Sequence, residues 1–317
     1  MDALWIMLKN VIVFVLLAMP GFILVKTKIV KTTESGILSK LMTYVGMPFL
    51  ILSSTLNVTF SGEFIGKILL VAIAGIAFVV GTFFISVLFL NKKDEEQKQK
   101  MARFCMVFAN NGFLGLPLAE AVFGNSPVVT YMVVLNILNN VLMFTLGVYL
   151  ISGDKGAINP KKALLSPVLI AFIMGIVLNL LNVKSVLPEL VTYSNHLKGI
   201  VTPLSMTVLG IKMAEIKLGD LFKERSMYAV SSVKLLVFPV ISVALMFLLK
   251  IVPAFAVNTD MVVAFFMAFA MPTAGMASTF ADQYNGDTKN SVVYTLGSTL
   301  LSVISIPVLY WVLCLWI

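Results

Sequence analysis

The sequence predicts an all-α integral membrane protein with ten transmembrane helices, and two observations carry this prediction. Hydrophobic residues make up 59% of the 317 residues and charged residues 12%, whereas a soluble domain carries about 25% charged residues. Long apolar segments also recur along the chain, separated by short loops that hold most of the lysines and arginines. Since about 20 apolar residues cross the hydrocarbon layer as a helix, the lipid bilayer is the first expected partner.

The ten predicted spans are residues 4–25, 36–56, 64–90, 101–123, 128–151, 164–181, 191–214, 226–251, 261–281 and 291–316. The seventh is the most polar, because it contains His196, Lys198 and Lys212. We expect its beginning to lie at the membrane interface and its body to pack against protein.

The distribution of basic residues predicts the orientation. Lysines and arginines cluster in the odd-numbered loops, whereas the even-numbered loops and their flanks hold few. By the positive-inside rule the odd loops are cytoplasmic, so the chain should be a multi-pass protein of the cell (plasma or inner) membrane with both termini on the extracytoplasmic side. The net charge of +8 is then a topology signal, and no nucleic-acid partner is expected. Lys9 and Lys234 lie inside spans and should extend towards an interface.

Two pairs of prolines share one spacing, which indicates an internal repeat. Pro117 in the fourth span and Pro272 in the ninth are 155 residues apart, as are Pro48 in the second and Pro203 in the seventh. Each half holds five spans, so the second half enters the membrane from the opposite side. We therefore predict a first repeat at residues 1–151, a cytoplasmic linker at 152–163 and an inverted second repeat at 164–317, an organisation typical of transporters.

The fourth span is expected to be broken, because residues 110–117 read Asn-Asn-Gly-Phe-Leu-Gly-Leu-Pro. Proline lacks an N–H and clashes with the preceding turn, and glycine weakens a helix. The helix should open between about residues 110 and 116 and resume near Pro117. The ninth span should repeat this at Pro272, so that two broken helices cross at mid-membrane.

The amino termini of the resumed helices would present free N–H groups and partial positive charge, which attract anions without a cationic side chain. Nearby amides and hydroxyls would complete the site, although they would equally serve to satisfy freed backbone groups or to join helices. The predicted substrate-binding residues are Asn110, Asn111, Gly112, Gly115, Pro117, Pro272, Thr273, Ala274, Gly275, Asn136, Asn140 and Ser53.

Two acids are candidates for ion coupling, because ionisable groups inside a membrane are functional by default. They are Glu120, which equally reaches the outer aqueous face in this topology, and Asp282. No cofactor and no metal site are expected, since the chain has two cysteines and one histidine. A membrane enzyme is disfavoured because the sequence lacks His-Glu-x-x-His, Gly-x-Ser-x-Gly and an aspartate pair.

The residues of both breaks resemble the auxin efflux carrier family, which includes plant PIN-type carriers and bacterial permeases. Five residues match the family's first crossover, Asn-x-Gly-Phe-x-Gly-x-Pro: Asn110, Gly112, Phe113, Gly115 and Pro117. The second crossover is similar at Pro272, Gly275, Phe280, Ala281, Tyr284 and Asn285, with Gln283 where the plant carriers have an acid. The short segment 152–163 resembles the bacterial permeases, whose relatives carry malate and malonate.

The resemblance implies a homodimer in which each chain has a scaffold domain (spans 1, 2, 6 and 7) and a transport domain (spans 3–5 and 8–10) that moves as an elevator. It implies that Asn110 contacts the substrate carboxylate and that Pro117 and Pro272 form the crossover. The expected function is secondary transport of a small organic anion, a carboxylate such as malate or malonate or an auxin-like acid. An anion channel of the same fold stays open, as does a sodium-coupled symporter of a larger organic acid, and coupling to H⁺ or Na⁺ is undecided.

Overall fold

The computed structural model describes residues 2–124, 126–158, 165–214 and 221–317, and all regular elements in these ranges are helical. Within these ranges six helices are long and apolar enough to cross a membrane, so the protein is a multi-pass integral membrane protein. Their bounds are Asp2–Lys26 (α1, apolar from Met7), Thr32–Leu56 (α2), Gly62–Phe89 (α3), Pro127–Ser152 (α6), Arg225–Ile251 (α10) and Thr288–Cys314 (α13).

The other four predicted spans occur as shorter or divided helices. The fourth is Glu96–Val107 (α4) and Leu116–Phe123 (α5), and the sixth is Pro167–Leu180 (α7). The seventh is Pro188–Lys198 (α8) and Val201–Met213 (α9), and the ninth is Thr259–Ala270 (α11) and Ala277–Gln283 (α12). The total of ten crossings, the inverted orientation of the halves and the repeat boundaries therefore stay predictions. The linker 152–163 is described as far as residue 158, and its remainder lies outside the described residues.

The helices pack in two groups. In one, α1 packs along α9, and α2 packs against α7 and α8. In the other, α3 contacts α6, α11 contacts α6 and α10, and α13 contacts α4, α10 and α12. The groups meet where α1 contacts α5 and α13, where α9 contacts α5, and where α2 contacts α6. The division into a scaffold domain and a transport domain stays a prediction.

Helices α1 and α9 approach each other through glycine. A Cβ atom on Gly210 of α9 would lie 1.8 Å from the carbonyl oxygen of Ala18, and one on Gly21 of α1 would lie 2.1 Å from the carbonyl oxygen of Thr207. Such distances are shorter than any van der Waals contact, so only glycine permits this spacing. Small residues let helix backbones approach closely in lipid, where packing replaces the hydrophobic effect between helices.

In the described part of the chain, four π-helical turns interrupt the regular helices, at Met42–Gly46, Asn111–Gly115, Met143–Gly147 and Val233–Val237. Such turns occur frequently at functional sites. The turn at Asn111–Gly115 leads out of the first helix break, and the turn at Val233–Val237 carries a buried lysine close to that break.

Candidate functional site

The two helix breaks lie side by side and are joined by backbone hydrogen bonds. The Asn110 N–H donates to the Pro272 carbonyl at 2.8 Å, and the Ala274 N–H donates to the Phe108 carbonyl at 3.0 Å, which forms an antiparallel bridge centred on Ala109 and Thr273. Irregular backbone at membrane depth survives only when its polar groups are satisfied within the protein. The predicted meeting of two interrupted helices is therefore present in the structure.

The first break begins earlier than the sequence predicted. Helix α4 ends at Val107, residues 108–110 are not helical, and Asn111–Gly115 already forms a π-helical turn. In that turn the Leu116 N–H donates to the Asn111 carbonyl. Pro117 lies in the first turn of α5, as predicted. The break therefore precedes the glycines, because the wider turn accommodates the missing N–H of the proline without opening the chain there.

The second break does not repeat the first, which corrects the prediction of equivalent breaks. Helix α11 ends at Ala270, Pro272 lies within the non-helical residues 271–276, and α12 begins five residues after the proline. Helix α12 has 7 residues, so its aligned peptide dipoles are few and its amino terminus offers little charge. The crossover therefore does not contain two comparable helix amino termini, from α5 and α12, that face one anion as predicted.

Asn139 of α6 holds the crossover in place. Its Oδ1 accepts from the Ala109 N–H at 3.2 Å, and its Nδ2 donates to the Ala109 carbonyl at 3.1 Å. Thr273 is held in the same way, because its Oγ1 donates to the Cys105 carbonyl at 2.9 Å and its N–H donates to Ser298 Oγ at 3.1 Å. These side chains satisfy backbone groups that the breaks leave free, which is one of the two roles that the sequence left open for polar side chains.

A small cavity of about 40 Å³ lies beside the crossover, with space for a few water molecules. The Asn110 side chain lines it and makes no hydrogen bond to the described residues. Gly275 faces that amide, since a Cβ atom on this glycine would lie 3.5 Å from Asn110 Nδ2. Lys212 of α9 also lines the cavity, and its Nζ donates to the Gly275 carbonyl at 3.3 Å. The wall further includes Ser205, Met206, Thr295 and Thr299.

The remaining predicted amides lie outside the cavity wall. Asn111 and Asn136 are each 1% exposed, and their amide atoms have no hydrogen-bond partner among the described residues. Asn136 Oδ1 lies 3.6 Å from the place of a Cβ atom on Gly112, and Asn111 Oδ1 lies 3.3 Å from that place on Gly115. The structure thus places both amides next to the π-helical turn. Asn140 is half-buried, and its substrate role stays a prediction.

Ser53 occupies a different interface. It is fully buried, and its Oγ donates to Asn195 Oδ1 at 2.9 Å, which joins α2 to α8. Ser53 is not part of the cavity wall that contains Asn110, so its predicted substrate role also remains a prediction.

The two acids proposed for coupling have other partners. Glu120 on α5 accepts a hydrogen bond from Lys198 Nζ at 2.6 Å, and this ion pair joins α5 to α8. Asp282 is exposed and accepts a hydrogen bond from Thr288 Oγ1 at 2.6 Å. Glu120 therefore has a structural role between helices, and coupling through either acid remains a prediction.

Lys234 does not extend to an interface, which corrects the prediction for this residue. Its side chain is 1% exposed within the π-helical turn Val233–Val237, and its Nζ donates to the Val107 carbonyl at 3.3 Å. Lys212 and Lys234 together show that cationic side chains do lie near the crossover, contrary to the expectation of an anion site without them. The hydrogen-bond acceptor of Lys234 is the Val107 carbonyl at the end of α4, and the sequence alone did not indicate this pairing.

A larger polar cavity of about 320 Å³ lies where the loop before α10 meets α4. Lys98 pairs there with Glu224 at 3.1 Å and with Asp94 at 3.7 Å. The Ser226 hydroxyl, which donates to Glu224 Oε1 at 2.6 Å, and then Lys98 hold the pKa of the Glu224 carboxyl below its usual range. This cavity lies outside the predicted substrate site.

The sequence did not place Lys212 or Lys234 at the crossover, because Lys212 was expected in a span body packed against protein and Lys234 at an interface. A signal existed for Lys234, since a lysine eight residues inside an apolar span is unusual. Asn139 was one of three candidate amides of the fifth span, with Asn136 and Asn140, and only packing distinguishes the one that holds the backbone.

The fold and the crossover define a class of protein, a helical membrane transporter, because interrupted helices that meet beside a polar cavity are the mark of a substrate site. The described residues contain no cluster of three or more histidine, cysteine or acidic side chains that would hold a metal ion.

Comparison with known proteins defines the family. Residues 6–310 match the family described as membrane transport protein, so the chain belongs to this family, that of the auxin efflux carriers. An uncharacterized transporter from Methanothermobacter thermautotrophicus is 28% identical over 307 residues, which cover 94% of each chain. The protein is thus a transporter rather than an enzyme.

Proposed function

We propose that the protein is a secondary transporter of a small organic carboxylate that works by alternating access. The observation that supports this best is the cavity at the crossover, where the Asn110 amide, the Lys212 ammonium and the broken backbone face one space. An ammonium and an amide N–H₂ are donors that suit a carboxylate, and charged hydrogen bonds are stronger than neutral ones.

The cavity also supports the alternating-access part of the proposal. It lies between the two helix groups: Asn110, Gly275 and Thr295 come from one, and Ser205, Met206 and Lys212 come from the other. At about 40 Å³ it is too small for a molecule of several heavy atoms. Substrate entry therefore requires the groups to move apart, and we propose that α3–α6 and α10–α13 move as an elevator against α1, α2 and α7–α9 in each chain of a homodimer.

The chemistry favours malate, malonate or an auxin-like acid as the class of substrate, without a choice among them. A thermal-shift screen of purified protein over these acids, with and without sodium and across pH, should show stabilisation by the bound acid, since a ligand of the folded state raises its stability. Sodium dependence of that shift would favour the symporter alternative.

Uptake into proteoliposomes tests the site. The Asn110→Ala variant should keep the wild-type melting temperature and lose uptake of the acid that gave the largest shift, because Asn110 has no structural hydrogen bond from its side chain to lose. Asn91→Ala, in the loop before α4, is the matched control and should transport normally. Normal uptake by Asn110→Ala would make the site assignment wrong.

A channel of the same fold is distinguished by counterflow. If the protein is a carrier, proteoliposomes preloaded with unlabelled acid should take up labelled acid faster than empty ones. The reason is that a substrate site with bound acid returns to the outer side of the membrane more readily than an empty site. A pore shows no such acceleration, so its absence would refute the carrier.

A further inference from the structure

The buried lysine on α10 is unused by the substrate site described above. Lys234 is 1% exposed, and the carbonyl of Val107 is its hydrogen-bond acceptor at 3.3 Å. No carboxylate of the described residues lies within ion-pair distance of its Nζ. A buried ammonium without a counterion is unfavourable in a low dielectric, so the burial of this lysine requires an explanation.

The position of Lys234 supplies part of that reason. Val107 is the last residue of α4, so the ammonium lies at the carboxyl terminus of a helix, where the unpaired carbonyls carry partial negative charge. Neighbouring carbonyls have other donors, since Cys105 O accepts from Thr273 and Phe108 O accepts from Ala274. The lysine therefore supplies one of the donors at the end of α4, three residues before Asn110.

The titratable groups around this turn do not provide a permanent counterion. The turn contacts α4, α11 and α13. On α4, Cys105 is a buried thiol, and Arg103 is turned towards α3 and donates to the Phe83 carbonyl at 2.9 Å. On α13 the Tyr294 hydroxyl donates to Ser226 Oγ at 3.0 Å, and Asp260 lies at the opposite end of α11.

We propose that Lys234 is the proton-binding residue that couples transport to a pH gradient, an inference that rests on the proposed transport function. The neutral amine takes one proton from the water on the side to which the cavity opens. The ammonium then crosses with the bound carboxylate, whose negative charge it offsets. On the other side it returns the proton to water as the anion leaves, so one proton moves with each anion and no other bond changes.

Burial of the side chain is what makes such coupling work. The side chain is 1% exposed, and the turn that carries it contacts α4, α11 and α13, which all belong to the helix group proposed to move. Lys234 therefore travels with the Asn110 side of the substrate site, and its proton exchanges with water only where the helices around the turn loosen. A lysine with a purely structural role would only need to donate to the Val107 carbonyl, and the guanidinium of an arginine, which stays charged, is also a hydrogen-bond donor.

Uptake of radiolabelled malate and malonate into proteoliposomes tests this, with the membrane potential clamped at zero. Wild-type protein should accumulate the transported acid about tenfold for each unit of pH difference, as expected for one proton per anion. Lys234→Arg should still exchange labelled for unlabelled acid but should lose this accumulation. Lys250→Arg, at the exposed end of the same helix, should behave as the wild type. Accumulation by Lys234→Arg equal to that of the wild type would refute the proposal.

A second measurement does not depend on transport. The melting temperatures of wild-type protein and of Lys234→Met should differ by an amount that changes between about pH 5 and pH 9, because only the wild type binds a proton at this position. A difference that is constant across this range would overturn the proposal even if the acids tested are not substrates. Absence of malate and malonate uptake by the wild type would count against the proposed function alone.

Discussion

The hydrogen bonds of Asn139 give the sharpest test of how the crossover is held together. Its amide accepts from the N–H and donates to the carbonyl of one residue, Ala109, at 3.2 and 3.1 Å. Both residues are 3% exposed, so no bulk water replaces the amide. Asn139→Ala would leave the N–H and the carbonyl of Ala109 without these hydrogen bonds, and Ala109 lies outside the helices that would otherwise pair them.

The expected magnitude follows from the two groups left unpaired. Each buried backbone donor or acceptor without a partner costs about 1–3 kcal/mol, so Asn139→Ala should lower the free energy of unfolding by about 2–6 kcal/mol. The crossover also positions Asn110, the next residue after Ala109. Transport should therefore fall together with stability, in contrast to Asn110→Ala, where transport alone should fall.

Equilibrium unfolding in mixed detergent micelles, read by tryptophan fluorescence or circular dichroism, measures this loss. Asn140→Ala is the matched control, because Asn140 is the next residue on α6, is half-buried and makes no side-chain hydrogen bond to the described residues. It should change the free energy of unfolding by about 0.5 kcal/mol or less. If the two variants are equally stable, the bridge does not depend on Asn139 and the account of the crossover is wrong.

Three further predictions concern packing and charge. Gly210→Ala should destabilise the protein by about 1–3 kcal/mol, because its new methyl group meets a carbonyl of α1, while Gly66→Ala on α3 has open space and should be neutral in the same unfolding assay. Glu120→Gln and Lys198→Met should each lower the melting temperature, and a double-mutant cycle should give a coupling of about 1 kcal/mol; additive effects would show that the ion pair contributes nothing. The hydrogen bond and ion pair that lower the folded-state pKa of Glu224 contribute stability above the ordinary carboxyl pKa of about 4.3, and this stability is lost as the pH falls through the lower folded-state value. The melting temperatures of wild type and Glu224→Gln should therefore converge in acid, and a gap that persists at low pH would contradict this.

Much of the fold followed from hydropathy. A helix needs about 20 apolar residues to cross the bilayer, and this length is visible in the sequence for α1, α2, α3, α6, α10 and α13. The break near residues 110–117 was also predictable, since glycines, amides and proline together inside an apolar segment oppose a regular helix. The family followed from the same residues, and the match over residues 6–310 confirms it.

The register of the breaks was not predictable. Pro117 and Pro272 stand at matching positions in the sequence, yet one begins a helix and the other lies in the gap between two helices. A proline excludes a helical hydrogen bond at its own nitrogen. Whether the backbone around it then forms a π-helical turn or an extended segment depends on the hydrogen-bond donors nearby. In the first break those donors come from Asn139 and from the second break, more than 25 residues away along the chain.

The sequence by itself determined that this protein lies in a membrane, that helix α4 is interrupted near Asn110 and that an amide stands at the interruption, because these properties depend on local composition and backbone chemistry. Only the tertiary structure decided which polar side chains face the cavity, which hold the backbone and which lysines lie inside. Lys212 reaches the Gly275 carbonyl across 63 residues of sequence, and Lys234 reaches the Val107 carbonyl across 127. Partners this distant are chosen by helix packing, which a single sequence does not display.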